Sequence, residues 1–245
     1  MTMNPGRSGQ TRMSAEKPTI IFLHAALGTS RDLAPLMQLF ETRGYRCLTF
    51  DFSGHGKEKP MPRDFRIHHF AEELDDFIRA HKLTAPVVFG HSMGGYVALY
   101  HKANFEASPL THIFTYGTKF NWTESAVARE LPMLNPEYVE DKFPQFRELL
   151  TEKHGERWKH LLRSTAHMMQ NLEKLDGLTR EDLNEIEIPV CLMLGDQDRL
   201  VSSEETAFAH RDLHHSVVKT ITHSKHELEK THLRELVSVM EEFLV

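Results

Sequence analysis

Residues Val87 to Gly95, VVFGHSMGG, carry the clearest chemical pattern in this chain. An apolar run ends in Gly-His-Ser-Met-Gly-Gly, and a helix-like segment follows from Tyr96 to Asn104. Between a strand and a helix, G-x-S-x-G sets a serine at the apex of a sharp turn, its hydroxyl pushed out of the sheet. Gly90 and Gly94 are needed because a Cβ there would strike the neighbouring strand or helix. The helix behind Ser92 offers unpaired N–H groups and a positive dipole end where an oxyanion would form. The chemistry implied is nucleophilic catalysis by Ser92.

A serine hydroxyl is a poor nucleophile unless a base lies within hydrogen-bond reach and an acid orients that base. The chain has 17 histidines, so position must select among them. His226 lies in a polar loop, HSKHELE, between the last strand and the last helix, at the same sheet edge as Ser92. His223, three residues earlier, is the alternative. The acid should also end a strand, and GDQDRLV supplies Asp196 and Asp198 after the run Pro189 to Leu194. Asp196 sits in the turn itself, where aspartate bonds its own backbone. Asp198 lies one step further out and is the favoured acid. The competing place, after the run His112 to Tyr116, reads GTKFNW and holds no carboxylate.

These side chains need a frame. Runs Thr19–His24, Arg46–Asp51, Pro86–Gly90, His112–Tyr116, Pro189–Leu194 and Ser216–Ile221 read as strands. Leu33, Leu36, Met37 and Phe40 repeat at helical spacing, with Ser30 as N-cap and Gly44 as stop. Phe70, Leu74, Phe77 and Ile78 mark a second helix, and Glu204–His210 a later one. A final helix from Glu229 places Leu233, Leu236, Val237, Met240 and Leu244 on one face. Strands alternating with helices predict an α/β fold with a mostly parallel sheet covered on both sides.

The stretch from Gly117 to Glu187 breaks the alternation. Trp158, Leu161, Leu162, Thr165, Met168, Met169, Leu172 and Leu175 keep helical spacing, and Phe146, Leu149 and Leu150 suggest another helix. The organisation predicted is a disordered tail over 1–18, a core over 19–117 and 188–245, and a helical cap insertion over 118–187. Such an insertion would lie over the ligand-binding edge of the sheet.

With 29 basic and 35 acidic residues the net charge is −6, and no Lys/Arg run is interleaved with aromatics, so nucleic acid is not an expected partner. Cys47 and Cys191 lie inside apolar runs and read as buried free thiols. No run approaches the ~18 apolar residues of a membrane span, and the first residues lack a signal-peptide core. The expected location is the cytoplasm, with no membrane partner. The pairs His68-His69 and His214-His215 lack metal-ligand spacing, so no metal is expected. His24 and His55 read as structural anchors of their loops.

FLHAALG at 22 to 28, DFSGHG at 51 to 56, GHSMGG at 90 to 95, GDQD at 195 to 198 and His226 together resemble the α/β-hydrolase fold family, in its small single-domain group of carboxylesterases, haloperoxidase-like enzymes and carbon–carbon bond hydrolases. The chain order Ser92, Asp198, His226 is the order of that family's triad. The resemblance implies an oxyanion hole from the backbone N–H groups of Ala26 and Met93, and no cofactor. It also implies a cap after the strand His112–Tyr116. His24-Ala25 replaces the usual His-Gly, which puts the oxyanion loop's backbone angles in question. Too little strand-like sequence precedes Thr19 for the family's N-terminal hairpin, so about six strands are expected. The implied function is a cofactor-free serine hydrolase acting on a small, largely apolar ester or related acyl compound. Carbon–carbon hydrolase, thioesterase, lactonase and perhydrolase chemistry are alternatives on the same fold. A ligand-binding signalling protein with slow turnover is the alternative from another class. The sequence leaves the oligomeric state open.

Overall fold

Six runs form one sheet: β1 (Thr19–Leu23), β2 (Arg46–Thr49), β3 (Val87–His91), β4 (His112–Tyr116), β5 (Val190–Gly195) and β6 (Ser216–Ile221). A computed structural model describes residues 17–57, 59–62 and 65–244; the expected tail lies outside them except for its last two residues. The strand order is β2-β1-β3-β4-β5-β6, and every pairing is parallel. This is the six-stranded α/β-hydrolase sheet expected, and among the described residues no hairpin precedes β1.

Helices cover both faces: α1 (Ala34–Glu41), α2 (Ile67–Ala80), α3 (Met93–Asn104), α9 (Ser203–Asp212) and α10 (Leu233–Phe243). Between β4 and β5 the chain builds α4 (Glu124–Glu130), α5 (Pro136–Lys142), α6 (Pro144–His154), α7 (Trp158–Asn171) and α8 (Arg180–Asn184). Successive strand residues point to opposite faces, and the two cores divide accordingly. Ile20, Phe22, Val87, Phe89, Phe114 and Cys191 pack with Leu36 and Phe40 of α1 and Leu236 and Met240 of α10. Ile21, Leu23, Val88, Ile113, Val190 and Leu192 pack with Phe70 and Leu74 of α2, Val97 of α3 and Ala209 of α9. Each fully buried side chain of this kind contributes about 1.5–3 kcal/mol, so the apolar strands fix where their C-terminal ends, and the loops beyond them, must lie.

The insertion is a helical cap with a small core of its own, Leu134, Val139, Leu150, Trp158 and Leu162. On α7, Leu161 and Met168 join the main core instead. One helix thus divides its apolar surface between cap and sheet.

Several boundaries differ from the sequence reading. α3 starts at Met93, not Tyr96, because the Ser92 carbonyl already accepts from Gly95 and Tyr96 N–H at 3.1 and 3.3 Å. The two glycines disguise this first turn. Thr29, not Ser30, is the N-cap before α1: Asp32 reaches back to the Thr29 N–H at 2.8 Å, and a 3₁₀ turn (Ser30–Leu33) opens the helix. Gly44 does take the left-handed conformation beyond α1, φ 82°. Residues 228–230 form a separate 3₁₀ turn, and α10 begins only at Leu233. Extended Thr231 intervenes, its hydroxyl donating to the Glu227 carbonyl at 3.0 Å. Beyond α7 a π turn (Leu172–Asp176) shifts the helical phase, so Leu172 is buried and Leu175 is 64% exposed.

Candidate active site

Ser92 links β3 to α3 with φ 51° and ψ −112°, a backbone conformation that L-residues avoid. Its N–H donates to the Tyr116 carbonyl of β4 at 2.8 Å, and its carbonyl also accepts the Thr118 hydroxyl at 2.9 Å. The elbow is closed by glycines. A Cβ on Gly90 would lie 2.2 Å from the Gly95 nitrogen, and one on Gly94 would lie 2.5 Å from the Leu23 carbonyl oxygen. Strand and helix therefore cross at a distance that no side chain permits, and the strained serine sits at the crossing.

His226 Nδ1 donates to Asp198 Oδ2 at 2.8 Å. Asp198 Oδ1 is filled by the N–H groups of Leu200 and Val201 at 2.8 and 2.9 Å. Burial pushes the Asp198 carboxyl up, but the bond to His226, its charge and those two N–H groups outweigh burial and hold it below the usual range. With Nδ1 occupied, Nε2 is the imidazole nitrogen left for a proton from elsewhere. His223 is not brought to the acid; it takes φ 50° in the turn, and its ring lies 5.8 Å from that of His232. Asp196 Oδ1 instead accepts the Ser224 N–H at 3.0 Å and braces the same loop.

The loop after β1 turns at Ala25–Gly28. The Ala25 carbonyl accepts Gly28 N–H at 3.0 Å and His24 Nδ1–H at 2.8 Å. In a trans peptide the next N–H, that of Ala26, faces the opposite way. The left-handed residue of the turn is Leu27, φ 60°. Ala25 therefore replaces glycine at a position that does not demand glycine. His24 is the anchor expected: buried, with Nε2 accepting the Phe52 N–H at 3.1 Å and burial lowering its pKa to about 4. His55 is likewise buried in its turn, bonded to the Ser53 carbonyl at 3.2 Å.

A family model described as alpha/beta hydrolase fold matches residues 18–175. The chain belongs to the α/β-hydrolase fold family. Over 84 residues this α/β-hydrolase is 34% identical to the putative esterase/lipase 2 of Mycoplasma genitalium; the match covers 34% of this chain and 31% of that protein, so it spans about a third of each. It is 22% identical over 209 residues to the 2-succinyl-6-hydroxy-2,4-cyclohexadiene-1-carboxylate synthase of Yersinia pestis, across 74% of this chain and 72% of that one. Among solved structures, NosK from Streptomyces actuosus superposes with a TM-score of 0.78 at 20% identity, covering 93% of this chain and 97% of NosK. The fold is therefore shared with proteins of quite different sequence.

In front of Ser92 the protein has a small cavity of about 30 Å³, walled by Ala26, Met93, Trp122, Met168, Met169 and Leu172 among others. Its one charged wall residue among the described residues is Lys119, whose Nζ donates to the Leu200 carbonyl at 3.3 Å and lies 3.6 Å from Glu130.

Some positioning residues escaped the sequence reading. His91, beside Ser92, donates from Nε2 to the His226 carbonyl at 2.8 Å, and the two rings lie 5.3 Å apart. Burial foremost, and then the nearby His226, lower the His91 pKa to about 3. The Tyr116 hydroxyl, at the end of β4, donates to the Lys225 carbonyl in the same loop. His91 lies inside the motif, and Tyr116 ends a recognised strand, but their partners are more than 100 residues away in sequence.

A serine-histidine-aspartate array lies elsewhere in the fold. Ser108 Oγ is 3.0 Å from His101 Nδ1, and His101 Nε2 is 3.2 Å from Asp75 Oδ1. Both Ser108 and His101 are buried beside the end of α3. Ser108 has neither a strained elbow nor a place in the cavity wall, so the array reads as a brace between α2 and α3. Among the described residues no group of three His, Cys, Asp or Glu side chains is gathered as a metal site, and no helix is long and apolar enough to cross a membrane.

Proposed function

We propose that this α/β-hydrolase is a serine esterase acting on small, largely apolar acyl substrates. The observation that carries the reading is the 2.8 Å His226–Asp198 bond, in a loop tied to His91, the neighbour of a strained Ser92 that opens on an apolar cavity. In this reading Ser92 Oγ attacks the acyl carbon as its proton passes to His226 Nε2. Asp198 keeps the imidazole in the tautomer that can accept that proton and stabilises the imidazolium. The N–H groups of Ala26 and Met93 hold the oxyanion; each such donor is worth about 10²–10³ in rate. His226 then returns the proton to the departing alkoxide as the C–O bond breaks. Water, deprotonated by His226, releases the acyl group and restores Ser92. No step calls for a cofactor. Segment 118–187 acts as the specificity cap, with Trp122, Met168 and Met169 supplying adaptable apolar walls.

The likeness to the Yersinia synthase raises carbon–carbon chemistry as a second reading. The name of that protein's compound carries a succinyl and a carboxylate group, whereas among the described residues the cavity wall here holds one cation, Lys119, already engaged by Glu130 and Leu200. An ester with an apolar acyl chain suits this wall better.

A series of p-nitrophenyl esters tests the proposal. Each methylene buried is worth about 0.8 kcal/mol, close to fourfold in kcat/KM. kcat/KM should climb over the first few carbons and collapse once the cavity is full. A burst without steady turnover would instead indicate a slow-turnover signalling protein. No acyl transfer from any ester would reject the esterase reading.

A further inference from the structure

His154 is the last residue of α6, in the cap, yet its side chain is buried between two loops of the core. Its Nε2–H donates to the Leu27 carbonyl at 3.0 Å, and its Nδ1 accepts the Gly56 N–H at 3.0 Å. A carbonyl can only accept and an N–H can only donate, so the two partners fix the tautomer between them. Gly56 belongs to the loop after β2. Leu27 belongs to the turn after β1, directly beyond Ala26, and is the residue forced to φ 60°.

That turn is held at both ends. Its first peptide is fixed through the Ala25 carbonyl by Gly28 and His24. Its last peptide, which carries the Leu27 carbonyl, is fixed by His154. The Ala26 N–H belongs to the first of these peptides, and the last one, Leu27–Gly28, supplies the Gly28 N–H that grips it. A side chain with a Cβ does not rest in the left-handed conformation unless its surroundings impose it. Without the bond to its carbonyl, Leu27 can relax and turn the Gly28 N–H of the same peptide away from the Ala25 carbonyl, leaving the peptide that carries the Ala26 N–H held by His24 alone. Other grips of the cap on the core do not touch Leu27: Lys153 Nζ bonds Asp32 at 2.8 Å, and the Arg157 guanidinium bonds the carbonyls of Gly56 and Lys57.

We propose that His154 is a positioning residue for the oxyanion hole: a cap side chain that holds the Ala26 N–H in its working direction through the Leu27 carbonyl. The proposal rests on the reading of Ala26 as an oxyanion donor. Cap and transition-state stabilisation are then coupled through one imidazole.

The two ring nitrogens can be separated. In His154→Gln the amide N–H can take the place of Nε2–H and still donate to Leu27. In His154→Asn the amide oxygen can take the place of Nδ1, accepting from Gly56 and leaving the Leu27 carbonyl without its donor. Full removal of an oxyanion donor lowers kcat about 10²–10³-fold, and displacement should give a part of that. The Asn variant should lose about 10–100-fold in kcat with KM within about twofold. The Gln variant should keep kcat within about threefold of the unaltered protein. A trifluoromethyl ketone, which forms a tetrahedral adduct at Ser92, should bind the Asn variant less tightly in the same proportion. The paired variant Lys153→Met/Arg157→Met, which loosens the cap without touching Leu27, should lower Tm and leave kcat unchanged.

Equal kcat losses in Asn and Gln, or a loss in Lys153→Met/Arg157→Met as large as in Asn, would overturn the proposal. If the Asn variant fails to fold, the Gln variant decides, since kcat must survive there. Fluorophosphonate labelling separates the two levels. If Ser92 is not labelled in the unaltered protein, the esterase reading fails. If it is labelled and the variants do not diverge, only the role of His154 fails.

Discussion

Ser92→Ala should lower esterase kcat by roughly 10⁴ to 10⁶ while the fold survives, because attack and acyl-enzyme formation vanish together. A fluorophosphonate followed by peptide mapping should mark Ser92 and leave Ser108 untouched, although Ser108 is bonded to a histidine that is in turn bonded to an aspartate. Modification of Ser108 would show that the elbow is not what selects the nucleophile. His226→Ala should match the Ser92 loss, and His223→Ala should cost less than about tenfold; steady-state kinetics with one ester reads both. Asp198→Asn should lower kcat on the order of 10⁴, since an amide favours the wrong tautomer of His226. Ser92 was legible from the glycines around it between a strand and a helix, and Asp198 and His226 because each lies in a polar loop beyond a strand. Ala26 was reached through family resemblance alone; the bonds to the Ala25 carbonyl fix only which way its N–H faces. His91, Tyr116, Lys119 and His154 were illegible as site residues. Each acts on a backbone atom in a distant loop, and one sequence does not reveal such pairings.

At the scale of the element, the elbow and the turn after α1 predict opposite fates for two glycines. Gly90→Ala should prevent stable folding, because the new Cβ would meet the backbone of Gly95 at 2.2–2.4 Å, where no flexible side chain can yield. Gly44→Ala should cost only about 1–2 kcal/mol, since φ 82° is strained for alanine but nothing lies within 4 Å of the added carbon. Urea denaturation compares them; equal losses would show that crossing distance does not limit the elbow. The same contrast explains what the sequence disclosed about elements. The sheet was readable because buried parallel strands are short, nearly continuous apolar runs. Helix α3 was read three residues late because Gly94 and Gly95 are poor helix formers kept for close approach. Helices α4, α5 and α8, of seven, seven and five residues, are too short to display a period. Pro136 and Pro144 at the first positions of α5 and α6 were the available signal, because proline is favoured there. Leu175 was misplaced because a π turn carries it off the stripe.

The whole molecule stores several histidines as neutral rings, and that sets its response to acid. Burial lowers the pKa of His24 to about 4 and of His91 to about 3 from an ordinary 6.5, and lowers those of His55, His101 and His154 as well. The unfolded chain then binds more protons than the folded one below pH 6.5. Stability is therefore complete above that pH and is lost progressively as pH falls toward the folded values. His24 and His91 together should remove about 5 kcal/mol between pH 6.5 and 4.5, comparable with the whole stability of an ordinary domain. Urea midpoints measured from pH 8 to 4.5 should be level at first and then drop steeply; a flat profile would mean that the rings protonate in place. The cap enters at this scale too, as a long excursion between the adjacent, directly paired strands β4 and β5. Loop-closure entropy grows only logarithmically, so doubling such an excursion costs about 0.6 kcal/mol. Chain entropy thus leaves the architecture open to recombination: one cap could be exchanged for another of different length with little penalty to the sheet. A graft would nonetheless arrive with a hidden debt, because the donor of the old cap to the Leu27 carbonyl departs with it. Chimeras that ignore that imidazole should fold, accept new acyl groups and turn them over slowly, until an N–H aimed at the same carbonyl is restored.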